Sequence, residues 1–215
     1  MLYLLAKFNR NIILKNLKLS LIIILLSSCF SCKRSAESLF KEATDSMLVS
    51  NHKAAIKLYD QAIALKPDYA FAYGNRGRAK FALKDYSGSL HDNEKAVLLD
   101  PTLNALYYAI GMDKFHLHDY KGALQAYDTV IKYYPKDGDY YYYRAEAKDS
   151  LNDFKGALND FDKAIILKPK EGEPYYERGL LRVKMNDKNG ACQDFKKAAH
   201  LNAVLAQDAV EKYCN

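Results

Sequence analysis

The sequence predicts an all-α protein built from repeated helical hairpins, and three observations support this prediction. Prolines recur at positions 67, 101, 135 and 169, so consecutive prolines lie 34 residues apart. A fixed period of this length is typical of solenoids, in which one supersecondary unit stacks on the next. Small side chains also recur at fixed positions within the period, and glycine and proline are otherwise scarce. Such a composition favours closely packed helices.

At this period the chain divides into five repeats and a C-terminal segment. The repeats span residues 36–69, 70–103, 104–137, 138–171 and 172–203, and the last segment spans 204–215. The sixteenth position of every repeat holds a side chain suited to an N-cap, namely Asn51, Asp85, Asp119, Asp153 and Asp187. The second helix of each repeat should therefore begin there, and the proline that follows should stop it.

The C-terminal segment predicts a capping helix. It places five apolar residues on one stripe, namely Leu205, Ala206, Ala209, Val210 and Tyr213. One repeat cannot bury its apolar face alone, so the last repeat of a stack needs such a cover.

At five positions of the aligned repeats, the same type of side chain recurs in most or all repeats. The fourth position is mostly tyrosine and the twenty-fourth mostly aromatic, positions eight and twenty are small, and position twenty-seven is mostly alanine. This pattern, with its proline at position thirty-two, resembles the tetratricopeptide repeat family over residues 36–203. The chain departs from the family in having no tryptophan, in a weak first repeat, and in Asn93 at an aromatic position. The resemblance implies a right-handed α–α superhelix of five helix-turn-helix units.

The resemblance also implies a concave groove lined by the first helix of each repeat. The groove residues expected from it are Phe40, Asn75, Arg78, Phe81, Tyr108, Met112, Phe115, Tyr142, Tyr143, Glu146, Tyr176, Glu177 and Leu180. Rings and methionine are suited to anchoring an extended peptide or a helix of a partner, and the acids of the last two repeats favour a basic one. The alternatives are a solvated face without ligand, or a groove filled by the protein's own tail. Asn75 and Arg78 match only a fragment of the family's clamp for a C-terminal carboxylate, so we do not expect that clamp.

Four consecutive tyrosines, 140–143, begin the fourth repeat. By their repeat positions, Tyr141 is expected in the core, Tyr142 and Tyr143 in the groove, and Tyr140 at the seam with the preceding repeat. Tyrosine suits all three places, because its ring packs while its hydroxyl reaches water or a partner.

Arginine and aspartate occur together at two further positions. Repeats two, four and five have arginine at position seven and aspartate at position twenty-three, and the other two repeats have neither. The residues are Arg76 with Asp92, Arg144 with Asp160, and Arg178 with Asp194. We expect ion pairs within a repeat or with the adjoining repeat; the alternative is that these arginines bind a ligand.

The N-terminus predicts a lipid anchor. Residues 1–28 contain four basic residues, no acidic residue, and an apolar run at 19–26 that is short for a membrane span. The run ends in Leu26-Ser27-Ser28-Cys29, which resembles the lipobox of bacterial lipoproteins. This implies a signal peptide at 1–28, lipid attachment at Cys29, and an anchor with a short linker at 29–35 in the bacterial cell envelope. The outer membrane is weakly favoured, because Phe30 is not aspartate; an uncleaved anchor or a start codon assigned too early are the alternatives.

Other features exclude several functions. Without the four basic residues at the N-terminus, the net charge of +6 falls to +2, which gives no basis for nucleic-acid binding. The five histidines are dispersed and the four cysteines lack zinc spacing, so we expect no enzyme, no metal and no cofactor. If the capping helix runs antiparallel to the helix before it, the rise per residue brings Cys192 near Cys214. A disulfide is expected there, with a buried reduced Cys192 as the alternative, and Cys32 has no assigned role.

The predicted function is that of a membrane-anchored adaptor that binds a protein or peptide partner in its groove. The alternative is a structural component of a stable envelope complex, or a self-association scaffold, without peptide exchange. A weaker alternative is an accessory to carbohydrate import, because aromatic surfaces also stack on sugars.

Overall fold

The computed structural model describes residues 34–214, and this range contains eleven α-helices and no β-strand. The helices are α1 (Ala36–Leu48), α2 (His52–Leu65), α3 (Ala70–Ala82), α4 (Tyr86–Leu99), α5 (Leu106–His116), α6 (Tyr120–Tyr133), α7 (Gly138–Ser150), α8 (Phe154–Leu167), α9 (Glu173–Lys184), α10 (Lys188–His200) and α11 (Ala206–Tyr213). The all-α prediction is confirmed. The predicted signal peptide, Cys29 and Cys32 lie outside the described residues. Within residues 34–214, every helix is too short or too polar to cross a bilayer.

The helices pack in the order of the chain, as in a solenoid. Each helix contacts the one before it and the one after it. In addition, α1 contacts α3, α3 contacts α5, and α5 contacts α7. The first helices of successive hairpins therefore lie side by side and form one face of the stack.

The turn inside each hairpin has the same construction. Two residues after the end of the first helix, one residue adopts the left-handed conformation, such as His118 at φ 62° or Asn152 at φ 62°. The next residue is the predicted N-cap, and its side chain accepts a hydrogen bond from the backbone N–H three residues later, as Asp119 does from Gly122 at 2.9 Å. All five predicted caps make this bond. Each of these N-caps contributes about 1 kcal/mol to helix stability. Together they determine where the second helices begin.

The core consists of small residues that pack against aromatic rings. Tyr59, Tyr127, Phe161 and Phe195 are buried on the second helices, and each packs against the first helix of its own hairpin. The fit leaves no space: a Cβ added to Gly111 would lie 2.4 Å from the ring of Tyr127. A small residue at that position is therefore required wherever the ring is present.

The C-terminal helix α11 covers the last hairpin, with Ala209, Val210 and Tyr213 packed against the cluster around Phe195. One part of the predicted stripe is wrong. Leu205 is 60 % exposed and lies before the helix, in the left-handed conformation at φ 63°. This conformation starts α11 one residue later and turns the leucine side chain into solvent.

Candidate partner-binding groove

The face formed by the first helices carries the predicted groove residues, and all of them are in contact with solvent. Arg78 is exposed and the other twelve are partly buried. The structure does not bring them into one continuous site. They fall into a cavity between the second and third hairpins, an acidic area on the fourth and fifth, and residues that mainly pack within the fold.

The cavity has a volume of about 480 Å³ and lies between α3 and α5, with α4 as its floor. It brings together five of the predicted residues, namely Asn75, Arg78, Phe81, Tyr108 and Met112. Its wall also contains Phe71, Leu103 and Leu106, which the repeat pattern did not single out. Because Phe71, Arg78 and Ala105 are exposed, the cavity is open to solvent on that side. Its volume lies within the range of ordinary ligand pockets.

The cavity occurs where the aromatic column is interrupted. Asn93 stands on α4 where the other second helices carry Tyr59, Tyr127, Phe161 or Phe195. Gly77 faces Asn93 in the way that Gly111 faces Tyr127, and a Cβ there would lie 2.8 Å from the asparagine Oδ1. The second hairpin thus has a smaller amide where the others have a ring, and Asn93 contributes to the lining of the cavity.

The floor of the cavity is polar and hydrogen-bonded to a buried carboxylate. Ser89 Oγ and Asn93 Nδ2 donate to Asp113 Oδ2 at 3.0 and 2.8 Å, and Asn93 Nδ2 also lies 3.2 Å from Ser89 Oγ. All three residues are buried. Burial raises the pKa of Asp113 to about 6, although the hydrogen bonds from Asn93 and Ser89 oppose the shift. Asn93 Oδ1 and Asp113 Oδ1 have no hydrogen-bond donor among the described residues.

The polar floor was missed by the sequence prediction. The other hairpins from the second onward have Ala79, Ala147 and Leu181 at the position of Asp113, and all three are buried. The sequence shows Asn93 where the other repeats have an aromatic residue, and this was the one signal that distinguished the second hairpin. Its partner Asp113 belongs to the next repeat, and a repeat alignment does not show that pairing.

The four consecutive tyrosines contact different neighbours. Tyr140 lies 5.5 Å from the ring of Tyr108, and Tyr143 lies 5.2 Å from the same ring, so both contact the preceding hairpin. Tyr142 instead lies 5.9 Å from the ring of Phe161 in its own hairpin. The hydroxyl of Tyr141 donates to the carbonyl of Pro135.

Tyr143 therefore contributes mainly to the seam rather than to an open groove. It is partly buried against the cluster of Ala123, Tyr127 and Ala147. Burial raises the pKa of Tyr108 and Tyr142, and both rings keep an exposed part. The tyrosine run thus couples the third and fourth hairpins and leaves partial ring surface on the groove side.

The acidic area lies on α7 and α9. Burial and the nearby Glu177 raise the pKa of Glu146 to about 7, while a hydrogen bond from the Tyr142 hydroxyl at 3.3 Å opposes the rise. Burial, followed by the charge of Asp149, also raises the pKa of Glu177. Lys184 pairs with Asp149. The two glutamates therefore lack a full complement of positive charge, and a basic group would stabilise their ionised forms.

A second, smaller cavity of about 200 Å³ lies at the start of these helices. Its lining includes Asp139, Glu171 and Glu173 together with Tyr142 and Tyr143. Lys168 lies 2.6 Å from Asp139 and 3.3 Å from Glu171. This cavity extends the acidic character of the fourth and fifth hairpins.

The remaining predicted groove residues mainly stabilise the fold. Phe40 packs on Tyr59 and Tyr69 in the first hairpin. Phe115 packs on Tyr120, and Tyr176 and Leu180 pack against the cluster around Phe195 at the C-terminal end. Their partial exposure continues the groove, but they do not line either cavity.

The three predicted arginines are engaged in ion pairs. Arg144 donates two hydrogen bonds to Asp160 of its own hairpin, at 2.8 and 2.6 Å. It donates a third to Asp128 of the preceding hairpin, at 2.7 Å. Arg76 and Arg178 repeat this geometry, the first with Asp92 and Asp60 and the second with Asp194 and Asp162. The pairs therefore link adjacent hairpins, and this geometry favours a structural role over ligand binding.

Two further features concern cysteine and metal chemistry. Cys192 on α10 and Cys214 after α11 form a disulfide with their Cα atoms 5.2 Å apart. Within residues 34–214, no group of three histidine, cysteine, aspartate or glutamate residues is arranged to hold a metal ion.

Comparison with known proteins identifies the fold. The tetratricopeptide repeat family model matches residues 108–174. The MamA fragment from Desulfovibrio magneticus RS-1 superposes with a TM-score of 0.75 at 21% identity, covering 78% of this chain and 94% of that one. No curated protein sequence matches the chain significantly.

Many other solved structures also match the chain, and two examples follow. YrrB, described as a tetratricopeptide repeat protein with an unusual peptide-binding site, gives a TM-score of 0.72 at 20% identity and covers 86% of this chain and 97% of its own. A tetratricopeptide repeat protein from Thermus thermophilus gives a TM-score of 0.62 at 16% identity. The match covers 84% of this chain and 97% of that protein. The chain therefore has the tetratricopeptide repeat fold.

Proposed function

We propose that the chain is an adaptor that binds a protein or peptide partner along the face formed by α3, α5, α7 and α9. The observation that carries this proposal is the cavity of about 480 Å³ on that face, which is open to solvent and has largely apolar walls. Repeat solenoids present extended surfaces of this kind to their partners. The likeness to YrrB, a protein described as having a peptide-binding site, supports the same function.

The two halves of the groove differ in chemistry, and this difference describes the partner. The second and third hairpins offer an apolar cavity, and Arg78 at its wall has no ion pair among the described residues. The fourth and fifth hairpins offer Glu146 and Glu177, whose pKa values are raised by burial and by neighbouring carboxylates. A partner segment with an apolar anchor at one end and basic residues at the other fits both halves.

The proposed location is a membrane of the bacterial cell envelope, with attachment through the lipidated Cys29. The support for this comes from the sequence, in which basic residues, an apolar run and a lipobox-like stretch precede the cysteine. Metabolic labelling with a radioactive fatty acid tests it. The wild-type chain should take up the label and sediment with membranes, whereas Cys29→Ala should do neither; label on the variant would contradict the anchor.

Capture of partners from crosslinked envelopes tests the binding surface. We expect Tyr108→Ala combined with Tyr142→Ala to lose the partners that the wild-type chain retains, because both rings are partly exposed on the groove side. Tyr133→Ala is the matched control, since Tyr133 is 54 % exposed on α6 and lines neither cavity. Thermal unfolding of each variant shows whether a loss reflects the groove or the stability of the fold.

The outcome of that capture distinguishes the alternative function. If the double variant is folded and keeps every partner, the groove is not the binding surface, and a structural component of a stable complex becomes the better explanation. Sedimentation of the purified chain then tests whether the partner is a second copy.

A further inference from the structure

We infer that one edge of the stack of hairpins lies on the surface of the phospholipid bilayer that carries the lipid anchor. This edge, which we call the loop edge, consists of the start of α1 and the segments that follow the second helices, at residues 66–69, 100–105, 134–137, 168–172 and 201–205. The inference rests on the proposed attachment through Cys29 and adds an orientation to it. The bilayer faces the loop edge, and the groove, on another face of the stack, stays open to a partner.

The connections between the helices place these segments at one edge. In each of the five hairpins, a turn of three residues separates the two helices, as residues 49–51 separate α1 from α2. Because the two helices of a hairpin pack against each other, so short a turn requires them to run antiparallel. The second helices therefore end at the edge where the first helices begin, opposite the short turns.

Large apolar side chains are more than half exposed along the whole loop edge. They lie at the ends of α2, α4, α6 and α8 and immediately before α11. Their exposed fractions are between 52 and 75 %, and the residues are Leu65, Leu98, Tyr133, Ile166, Val204 and Leu205. Among the described residues at the opposite edge, only Leu48 and Val49 of the first hairpin are as exposed. One exposed apolar residue is ordinary in a soluble protein, but a row of them marks a surface that something covers.

The predicted anchor joins the fold at this edge. Cys29 precedes Ala36, the first residue of α1, by seven residues, and these span at most about 25 Å. The opposite edge lies one helix further away, about 20 Å for the 13 residues of α1. Because a short tether raises the local concentration of the surface nearest to it, the loop edge is the part of the stack that the bilayer meets most often.

The exposed row is suited to lipid rather than to a protein partner. None of its six side chains lines either cavity of the groove face, whereas protein interfaces are centred on side chains that fill pockets. A bilayer is fluid and accepts separate apolar side chains without a surface of complementary shape. Tyr133 also belongs to a residue type that is enriched where membrane and water meet.

The charge of the loop edge indicates how it associates with lipid. Its five segments contain as many lysines as acidic residues, namely Lys66, Lys136, Lys168, Lys170, Asp68, Asp100, Asp137 and Glu171. Their net charge is therefore zero, and anionic lipids do not attract this edge as they attract a basic surface. Association depends on the burial of apolar side chains, so it should be insensitive to salt.

Fluorescence of introduced tryptophans tests the inference, because the chain contains none of its own. The full chain, purified with its lipid, is reconstituted into vesicles of phosphatidylethanolamine and phosphatidylglycerol with brominated acyl chains, which quench nearby tryptophan. Interfacial apolar side chains are buried about 5–10 Å into the lipid boundary, so we expect Leu98→Trp and Ile166→Trp to be quenched at least about twofold. Leu48→Trp is the matched control, because Leu48 is 79 % exposed at the opposite edge, and it should keep its intensity.

Three outcomes would overturn the inference. Equal quenching at both edges would show that the chain has no fixed orientation, and no quenching at the loop edge would show that this edge does not reach the lipid. Quenching that disappears at high salt would contradict apolar insertion. If quenching is absent and the purified chain sediments as a dimer that Leu98→Glu with Ile166→Glu abolishes, the row binds a second copy instead. Circular dichroism shows that each variant is folded.

Failure of this inference can be told from failure of the proposed anchor. If metabolic labelling finds no lipid on Cys29, the chain is coupled through the thiols of Cys29 and Cys32 to a maleimide phospholipid in the same vesicles, and the tryptophan variants decide the orientation there. Lipidation of Cys29 with equal quenching at both edges rejects only the docking. Quenching confined to the loop edge of the coupled chain, without lipid on the natural one, rejects the anchor and keeps the affinity of this edge for lipid.

Discussion

The guanidinium of Arg144 donates two hydrogen bonds to the carboxylate of Asp160, from Nε at 2.8 Å and from Nη2 at 2.6 Å. Asp160 is buried, so the pair lies at the contact between the two helices of one hairpin. A third bond, to Asp128, ties the same arginine to the preceding hairpin.

Arg144→Met should lower the free energy of unfolding by about 3 kcal/mol, because it leaves a buried carboxylate without its main partner. Lys148, which also pairs with Asp160, offsets part of the loss. Asp128→Ala is the control: its side chain is 54 % exposed, and exposed pairs contribute at most about 1 kcal/mol. Denaturant unfolding measures both, and a double-mutant cycle of Arg144 with Asp160 that gives no coupling would reject the pairing.

Alanine at two equivalent glycines should have unequal effects. Gly111→Ala places a Cβ 2.4 Å from the ring of Tyr127, and overpacking of this kind costs about 1–3 kcal/mol. Gly77→Ala meets the amide of Asn93 at 2.8 Å, beside a cavity into which that amide can shift, so its cost should be smaller by at least about 1 kcal/mol. Equal losses of unfolding free energy would show that the second hairpin is packed as tightly as the third.

Stability should depend on pH through Glu146. Its pKa is raised to about 7 from an ordinary 4.5, so the folded state binds the proton more tightly than the unfolded chain. The stabilisation is fully present below pH 4.5 and is lost as the pH rises through 7. Asp113, whose pKa is raised to about 6, also stabilises the fold at low pH, and its contribution is lost at a lower pH than that of Glu146.

Glu146→Gln should therefore raise the free energy of unfolding at about pH 8 by roughly 2 kcal/mol and change it little at about pH 4.5. Thermal unfolding across this range measures the difference. Glu173→Gln is the control, because it removes a carboxylate that is exposed on the same face. A Glu146→Gln curve parallel to that of the wild type would contradict the burial of this carboxylate.

Reduction of the Cys192–Cys214 disulfide should loosen the C-terminal cap. The bond spans 22 residues of chain, for which the chain-entropy relation gives about 3 kcal/mol. We expect hydrogen exchange in α10 and α11 to accelerate in dithiothreitol, while α3 to α8 are unaffected. Cys192→Ala with Cys214→Ala should behave like the reduced chain in either condition. Peptide mapping without reductant that finds both thiols free would show that the bond does not form.

The sequence predicted the elements well because their signals are local. The N-caps, the stop signals and the small-residue columns are each set within one repeat, and the helices begin where Asn51 or Asp153 indicated. Leu205 was misplaced because a single left-handed residue shifts the start of a helix, and apolar periodicity does not show that shift.

The candidate site was only partly predictable, because it depends on contacts between repeats. Asp113 is an acidic residue on a helix, and from sequence such a residue is expected in solvent; it is buried because Ser89 and Asn93 of the preceding repeat donate to it. The cavity volume depends on the positions of three helices, which no single column records. Tyr143 was expected in the groove, and its contacts with Tyr108 and Tyr127 place it largely in the seam.

Photocrosslinking in living cells tests the central claim most directly. Benzoylphenylalanine is placed at Phe71 in the wall of the cavity, at Tyr142 beside the acidic area, or at Tyr133 outside both. The groove account predicts that positions 71 and 142 crosslink to the same protein and that position 133 does not. Crosslinking from position 133 alone, or to different proteins from 71 and 142, would contradict it.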